Sequence, residues 1–174
     1  EEHGGVGHAR GVYEDQVHVP LIFRHPTLAH GGRRVPAAVG LIDLAPTVLE
    51  LLGVDRPASF AGTSLVPWLH AAGPSRPVFS EQLWGPHQTL LRTDQMAWVQ
   101  RDAGVELYDL AADPGEQRNL AAERPELAAQ GGRDIAAFRA ACAQQAGSLR
   151  RVDGAGSAID PERERTLRAL GYIQ

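Results

Sequence analysis

The sequence contains no lysine, a single cysteine and no long apolar run. All 17 basic residues are arginine, and 21 acidic residues leave a formal charge of -4, which is too balanced to predict a nucleic-acid or anionic-membrane partner. Cys142 alone excludes an internal disulfide framework. No apolar stretch approaches membrane-spanning length, and the acidic start is unlike a secretion signal, so we expect a soluble, untargeted chain.

What the sequence does contain is enough apolar material for one core, since 43% of its 174 residues are hydrophobic. In its first third, two apolar runs predict buried strands at Val17–Phe23 and Val35–Ile42. Asp43 is predicted to cap a helix that ends at Gly53. The spacing of the apolar residues in this helix predicts that they form its buried face: Leu44, Val48, Leu51 and Leu52.

The remaining two thirds predict short strands followed by helices. Residues 54–76 indicate a loop around a short buried helical turn at Ser64–Leu69. Four strands separated by turn residues favour an antiparallel meander: Pro77–Gln82, Thr89–Thr93, Met96–Arg101 and Val105–Leu110. A helical region at Pro125–Ala146 is expected to break into two pieces at Gly131–Gly132. Asp160 and Pro161 predict the start of a final helix that ends near Gly171.

These elements predict two parts of unequal completeness. The helical region Pro125–Ala146 is expected to stack on the meander, which buries one face of each. The first 53 residues instead fit the edge of an α/β sheet whose other strands come from elsewhere. We therefore expect exposed apolar side chains along both early segments. The predicted division is 1–76, the C-terminal part of a large α/β domain, and 77–174, a small antiparallel-sheet-and-helix subdomain.

Several sequence motifs occur in the same order along this chain as in one known family. The chain resembles the C-terminal third of a sulfatase, in the alkaline-phosphatase superfamily. The motifs that carry the resemblance are Gly7-His8 with Tyr13-Glu14 and Val19-Pro20-Leu21-Ile22, Asp43–Gly53, Phe60–Leu65, Glu106–Leu110 with Asp113-Pro114-Gly115-Glu116 and Asn119-Leu120, and Leu170–Ile173. The resemblance implies the C-terminal part of the sulfatase fold: the edge of a large mixed sheet, plus a small four-stranded antiparallel sheet packed on a helix.

The resemblance also implies a chemistry that this chain does not supply by itself. Sulfatases cleave sulfate esters with a formylglycine, made from Cys or Ser in a C/S-x-P-x-R motif, beside a calcium ion. Neither Cys142 nor Ser75 lies in such a motif. Neither the proline nor the arginine of the motif follows Cys142, and after Ser75 the arginine position is occupied by Phe79. We expect calcium and formylglycine in the full-length enzyme, and we expect this chain to supply neither of them. We therefore predict that the chain alone is inactive.

The resemblance leaves His8 as the main candidate for catalysis and substrate binding. Relatives place a Lys or His at this position, in contact with the sulfate or its leaving oxygen. Arg10 is a second candidate for substrate binding, and His3 is a weaker one. Zinc is not expected at the remaining histidines, because their spacing fits no compact ligand pattern. Glu14 and Asp15 are interpreted as structural, while Trp84 lies on a loop that could reach a substrate.

Three functions follow from these patterns. The favoured one is a sulfuric ester hydrolase whose N-terminal part, on the same polypeptide, is the partner of this chain. Its substrate would be a sulfated small molecule or glycan. A phosphodiesterase or phosphonate monoester hydrolase of the same superfamily is the first alternative, and a non-catalytic binding or assembly module is the second. The cellular compartment and the identity of the ester are left open.

Overall fold

A computed structural model describes residues 11–26, 32–71, 73, 75–82, 85–148 and 160–169. The chain divides into two compact units, Glu1–Cys142 and Ala143–Gln174. The predicted boundary at residue 76 concerns a different division, between a large domain and its subdomain, and it stays a prediction.

The first unit contains a four-stranded antiparallel sheet in which each strand pairs with its neighbour in sequence. In its register, Leu90 lies opposite Val99, and Val99 lies opposite Glu106. The turn between the last two strands uses Gly104 at a φ of +132°, where only glycine is free of strain. The meander predicted from the turn residues is confirmed, with strands β1 Val78–Gln82, β2 Gln88–Arg92, β3 Met96–Arg101 and β4 Gly104–Asp109.

One face of this sheet packs against a long helix, α4, over Pro125–Ser148. Trp98 lies at the contact and donates its indole N–H to the carbonyl oxygen of Leu127 at 3.0 Å. The rings of Phe79 and Phe138 stack with centroids 3.8 Å apart. The predicted stacking of helix on meander is confirmed, and the buried residues of this core are Leu91, Trp98, Leu107, Leu120, Ala128 and Ile135.

The predicted break of this helix at Gly131–Gly132 is wrong, because α4 is continuous. A Cβ atom built on Gly131 would lie 2.1 Å from Cδ1 of Trp98, so a larger residue could not occupy this position without displacing the indole. The glycine therefore allows close approach of helix and sheet, and does not end the helix. Packing against the sheet offsets the low helix propensity of glycine, which costs about 1 kcal/mol relative to alanine.

Replacement of Gly131 by alanine is expected to lower the free energy of unfolding by about 1–2 kcal/mol, because overpacking outweighs the gain in helix propensity. Gly147, in the same helix, has open space around its Cα, so Gly147→Ala is the matched control and is expected to raise stability by up to about 1 kcal/mol. Urea denaturation followed by tryptophan fluorescence measures both. Equal effects of the two substitutions would contradict the close-approach interpretation.

The other face of the sheet is covered by residues near the start of the chain. Helix α1 spans Glu14–Val17, and residues 18–26 have no regular structure. The predicted strand at Val17–Phe23 is therefore wrong. The predicted strand at Val35–Ile42 is also wrong, because its last two residues belong to a 3₁₀ helix at Leu41–Asp43. The physical reason is that a strand requires a partner, and in the described parts of the chain β1–β4 pair only with one another.

Both early segments nevertheless expose apolar side chains, as predicted. Ile22 is 88% exposed, and Leu41 and Ile42 are each 62% exposed. Large exposed apolar side chains grouped in this way are typical of a surface that packs against another part of a protein. The two segments therefore present an apolar surface even though they are not strands.

Helix α2, at Leu44–Leu51, is confirmed, and the chain turns after it at Gly53 with a φ of +68°. Its buried face is not the predicted one. Pro46 and Thr47 are buried, whereas Val48 is 47% and Leu52 is 65% exposed. The apolar face of α2 therefore adds to the exposed apolar surface.

Asp43 does not cap α2 with its side chain, which corrects the sequence prediction. Its fully buried carboxylate accepts hydrogen bonds from the backbone N–H of Gly40 at 3.0 Å and of Thr63 at 2.8 Å, and it pairs with Arg76. Asp43 thus joins the start of the helix to two later parts of the chain. It is a structural anchor.

Thr47 continues the same network one turn along α2. Its hydroxyl donates to the carbonyl oxygen of Asp43 at 2.5 Å and accepts from the N–H of Leu65 at 2.8 Å. A Cβ atom on Gly62 would lie 2.0 Å from the carbonyl oxygen of Ile42, so this position requires glycine. The short buried helical turn predicted at Ser64–Leu69 is confirmed as helix α3, at Val66–His70, with Trp68 buried. The motifs at 43–53 and 60–65 are therefore explained by packing.

In the second unit, helix α5 spans Pro161–Ala169. The side chain of Asp160 accepts a hydrogen bond from the N–H of Glu162 at 3.4 Å, which confirms the predicted start of this helix. Its predicted end near Gly171 lies outside the described residues. Across the described ranges, no helix has both the length and the apolar character that crossing a membrane requires.

Candidate functional site

The residues predicted to act on substrate lie just before the described part of the chain. His3, His8 and Arg10 fall outside the described residues, as does Trp84, so their predicted roles stay predictions. The structure does describe the segment that follows them directly, from Gly11 through α1. The way this segment is held determines where the chain that follows His8 and Arg10 is attached.

Two side chains fix the start of this segment on the sheet. Val12 is 1% exposed and Tyr13 is 6% exposed. Tyr13 meets Tyr108 edge to face, with ring centroids 6.2 Å apart. Apolar burial of this kind is the main source of stability at the site, and the buried cluster consists of Val12, Tyr13, Leu90, Ala97, Val99 and Tyr108.

The hydroxyl of Tyr13 joins a polar network at the edge of the same cluster. It donates to Oε2 of Glu106 at 2.6 Å and accepts from Nη1 of Arg101 at 3.3 Å. Tyr108 donates to the same Glu106 oxygen at 3.1 Å. Burial, reinforced by Glu106, raises the pKa of Tyr13 to about 12, so the phenol remains a hydrogen-bond donor at neutral pH.

Glu14 makes the next attachment. Its carboxylate accepts from Nε of Arg92, on β2, at 2.6 Å, and His18 lies 3.2 Å from the other carboxylate oxygen. Because Glu14 is held in this pair, its interpretation as a structural residue agrees with the geometry, whereas that of the exposed Asp15 stays a prediction. This ion pair links α1 to the sheet.

Glu116 also holds the start of α1, through the backbone of Glu14. Its side chain is buried, and its Oε2 accepts the backbone N–H of Glu14 at 2.7 Å. The pKa of Glu116 is raised to about 7, chiefly by burial and also by the nearby carboxylates of Glu14, Asp15 and Asp113, although the hydrogen bond from Glu14 acts to lower it. The sequence motif around Glu116 contributed to the family resemblance, but it gave no indication that this carboxyl is buried.

A cleft of about 310 Å³ lies at the end of the sheet that holds the Tyr13 hydroxyl. Arg101, Glu106, Asp102 and His87 line it together with Pro86 and Ala103, and most of its lining is apolar. His87 lies 3.5 Å from a carboxylate oxygen of Glu81. The cleft is therefore a largely apolar hollow that also contains a few charged side chains.

The described residues do not fit a calcium site. Within the described ranges, no group of at least three His, Cys, Asp or Glu side chains is placed to hold a metal ion. Cys142 is an exposed free thiol on α4. No catalytic step is therefore assigned to a metal ion or to a cysteine in this part of the chain.

Comparison with known proteins identifies the relatives of this chain. Residues 2–84 match the family model described as N-sulphoglucosamine sulphohydrolase, C-terminal. Arylsulfatase K of Mus musculus is 31% identical over 132 residues, which are 67% of this chain and 24% of that protein. Arylsulfatase K of Xenopus laevis is 31% identical over 134 residues, with 66% and 24% covered. The chain thus spans about a quarter of the length of these relatives.

Solved structures agree with these relatives. A 2-O GAG sulfatase, BT1596, superposes with a TM-score of 0.53 at 28% identity, over 62% of this chain and 26% of that one. A sulfatase structure from Bacteroides thetaiotaomicron gives the same values. Sequence motifs, family model and fold therefore agree, and the chain belongs to the sulfatases of the alkaline-phosphatase superfamily and corresponds to their C-terminal portion.

Proposed function

We propose that this chain is the C-terminal part of a sulfuric ester hydrolase, in which His8 acts on the sulfate group and Arg10 assists in binding it. The similarity to Arylsulfatase K over 67% of the chain carries this proposal. The firm attachment of the segment at 12–14 supports it, since a catalytic loop requires a rigid base. Both proposed residues lie within a few positions of that base.

The proposed role of His8 follows from the chemistry of the ester. As the bond between sulfur and the alcohol oxygen breaks, negative charge grows on that oxygen and on the sulfuryl oxygens. A protonated imidazole could stabilise the sulfuryl oxygens as a cation, or give its proton to the departing oxygen. Arg10 would add a fixed positive charge that binds sulfate through a forked pair of donors.

The nucleophile and the cation are proposed to come from the N-terminal part of the same polypeptide. Calcium and formylglycine are the expected groups, and within the described ranges no group of three or more His, Cys, Asp or Glu side chains is placed to hold a metal ion. The exposed apolar side chains around Ile22, Leu41 and Leu52 suit a large contact with that part. The proposed partner is therefore covalently connected, and no separate subunit is required.

The proposed substrate is a sulfated glycan or a sulfated small molecule. One relative with the same fold is a 2-O GAG sulfatase, which favours a glycan.

The coding sequence upstream of Glu1 provides the test of this proposal. We expect it to encode a C/S-x-P-x-R motif and an Asp-His or Asp-Asn pair, and we expect the full-length protein to hydrolyse aryl sulfates. The 174-residue chain alone is expected to give no hydrolysis. Turnover by the isolated chain that survives His8→Ala and Cys142→Ala would contradict the proposal.

Parallel assays on aryl phosphate and phosphonate esters distinguish the proposed sulfatase from the first alternative, a phosphodiesterase or phosphonate monoester hydrolase. A full-length protein that prefers phosphorus esters over sulfate esters by tenfold or more would replace the proposed function with that of a phosphoester or phosphonate hydrolase. An in-frame stop directly before Glu1 would instead favour the non-catalytic module. These outcomes are distinct, so one set of experiments decides between the three functions.

A further inference from the structure

Glu116 connects two parts of the chain that are distant in sequence. Its carboxylate accepts the N–H of Glu14, a residue 102 positions earlier, at 2.7 Å. Only 2% of its surface is exposed, and its Oε1 atom has no hydrogen-bond partner among the described residues. Burial of an ionisable group costs free energy unless it is compensated, so this placement requires an explanation.

The backbone at Glu116 carries a second cost. Its φ is +53°, the only positive value recorded for a non-glycine residue in the described ranges. This conformation costs a residue with a Cβ about 1–2 kcal/mol. The turn that imposes it is closed by Asp113, whose carbonyl oxygen accepts the N–H of Glu116 at 3.1 Å and whose side chain accepts the N–H of Arg118 at 2.8 Å. A glycine would adopt this turn freely, so the turn alone does not account for a glutamate.

The charged groups around Glu116 are mostly acidic. Glu14, Asp15 and Asp113 all raise its affinity for a proton, and of these Glu14 is paired with Arg92. With its pKa raised to about 7, the carboxyl changes charge within the neutral range. The charged form accepts the hydrogen bond from Glu14 more strongly than the neutral form does, but burial and the three carboxylates together outweigh this gain and favour the neutral form.

We propose that Glu116 is a positioning residue that fixes the first turn of α1, and with it the point where the chain leaves His8 and Arg10 and joins the sheet. Its effect on turnover rests on the proposed sulfatase function, whereas its hold on α1 does not. The hold is strongest when the carboxyl is neutral, so the ordering of the segment at 11–17 decreases from pH 6 to pH 8 as Glu116 loses its proton. The carboxyl thus acts through the backbone of Glu14 and does not touch substrate.

Hydrogen exchange in the 174-residue chain tests the hold on α1 directly. Glu116→Ala is expected to lower the protection factor of the Glu14 amide about tenfold at pH 8, because the amide loses its acceptor. Glu116→Gln keeps an acceptor without the charge, so it is expected to retain most of the protection. In the unmodified chain, protection corrected for intrinsic exchange should fall about fivefold between pH 6 and pH 8, and Glu116→Gln should abolish this fall.

Glu126→Gln is the matched control, because Glu126 is exposed at the start of α4. It is expected to leave protection at Glu14 and its pH dependence unchanged. Unaltered protection in both Glu116 variants would overturn the proposal. If Glu116→Ala does not fold, the comparison of Glu116→Gln with the unmodified chain still decides it, since a persisting pH dependence would assign the effect to another group.

The full-length enzyme provides the second readout. Glu116→Ala is expected to lower kcat about tenfold with little change in KM, and Glu116→Gln is expected to restore most of it. An unchanged kcat, with lost protection at Glu14, would overturn the role in positioning the loop. If the full-length protein has no sulfatase activity but the exchange results are as expected, the proposed function fails and the hold on α1 stands.

Discussion

Replacement of Asp43 by alanine is expected to lower the free energy of unfolding by about 3–5 kcal/mol. The substitution leaves the guanidinium of Arg76 without its buried partner, and it removes the acceptor for the N–H groups of Gly40 and Thr63. Burial already lowers the pKa of Arg76, which indicates that its charge is poorly solvated. An unpaired charge in this position is costly.

Urea denaturation followed by tryptophan fluorescence measures the effect. Trp68 is a local reporter, because Arg76 lies 6.0 Å from the centre of its ring. Asp43→Asn retains an acceptor for Thr63 but loses the charge pair, so it should lie between alanine and the unmodified chain. Asp55→Ala, at an exposed loop position, is the control and should change stability by less than about 0.5 kcal/mol. A similarly small loss for Asp43→Ala would disprove the anchoring role.

Replacement of His8 by alanine in the full-length enzyme is expected to lower kcat by about 10²–10⁴-fold. The substitution removes either the cation that faces the sulfuryl oxygens or the proton donor to the departing alcohol. These interactions strengthen as the ester bond breaks, so kcat should fall more than KM rises. Stability should change by less than about 0.5 kcal/mol, the usual effect of a substitution that removes no packing or buried hydrogen bond.

The dependence of this effect on the substrate distinguishes the two possible roles of His8. A proton donor matters less when the leaving group is a nitrophenol, which departs without a proton, than when it is a sugar hydroxyl. His70→Ala is the control, because His70 is exposed on α3. Equal losses of activity and stability would make His8 a structural residue.

The sheet could be predicted from sequence because its determinants are local. Turn residues at Asp94-Gln95 and Asp102-Ala103-Gly104 separate strands that pair only with their neighbours in sequence. The early strands could not be predicted correctly, because an apolar run indicates burial and does not identify the partner. In the structure, Val17 belongs to a helix and Ile22 is exposed.

The sequence predictions for Gly131 and Asp43 were wrong for a similar reason. Gly131 interrupts a helical pattern, yet it is required by Trp98, a residue on another element that no local window contains. Asp43 has the position of a helix cap, but its hydrogen-bond partners at Thr63 and Arg76 come from later in the chain. In both cases tertiary contacts override the local preference.

The candidate site shows the same limit. His8 and Arg10 were predicted from a motif, and their roles stay predictions. Glu116 was visible as part of a motif, but its function depends on contact with Glu14, 102 residues earlier. A glutamate is usually exposed, and nothing in its neighbours indicates burial.

The order in which these contacts become available follows from their positions along the chain. Synthesis proceeds from the N-terminus, so Tyr13 and Glu14 leave the ribosome well before Arg92, Glu106 and Glu116, which hold them. The meander itself pairs neighbouring strands and should form rapidly once translated. A nascent chain can therefore complete the attachment of α1 only after residue 116 has been translated, 102 residues after Glu14.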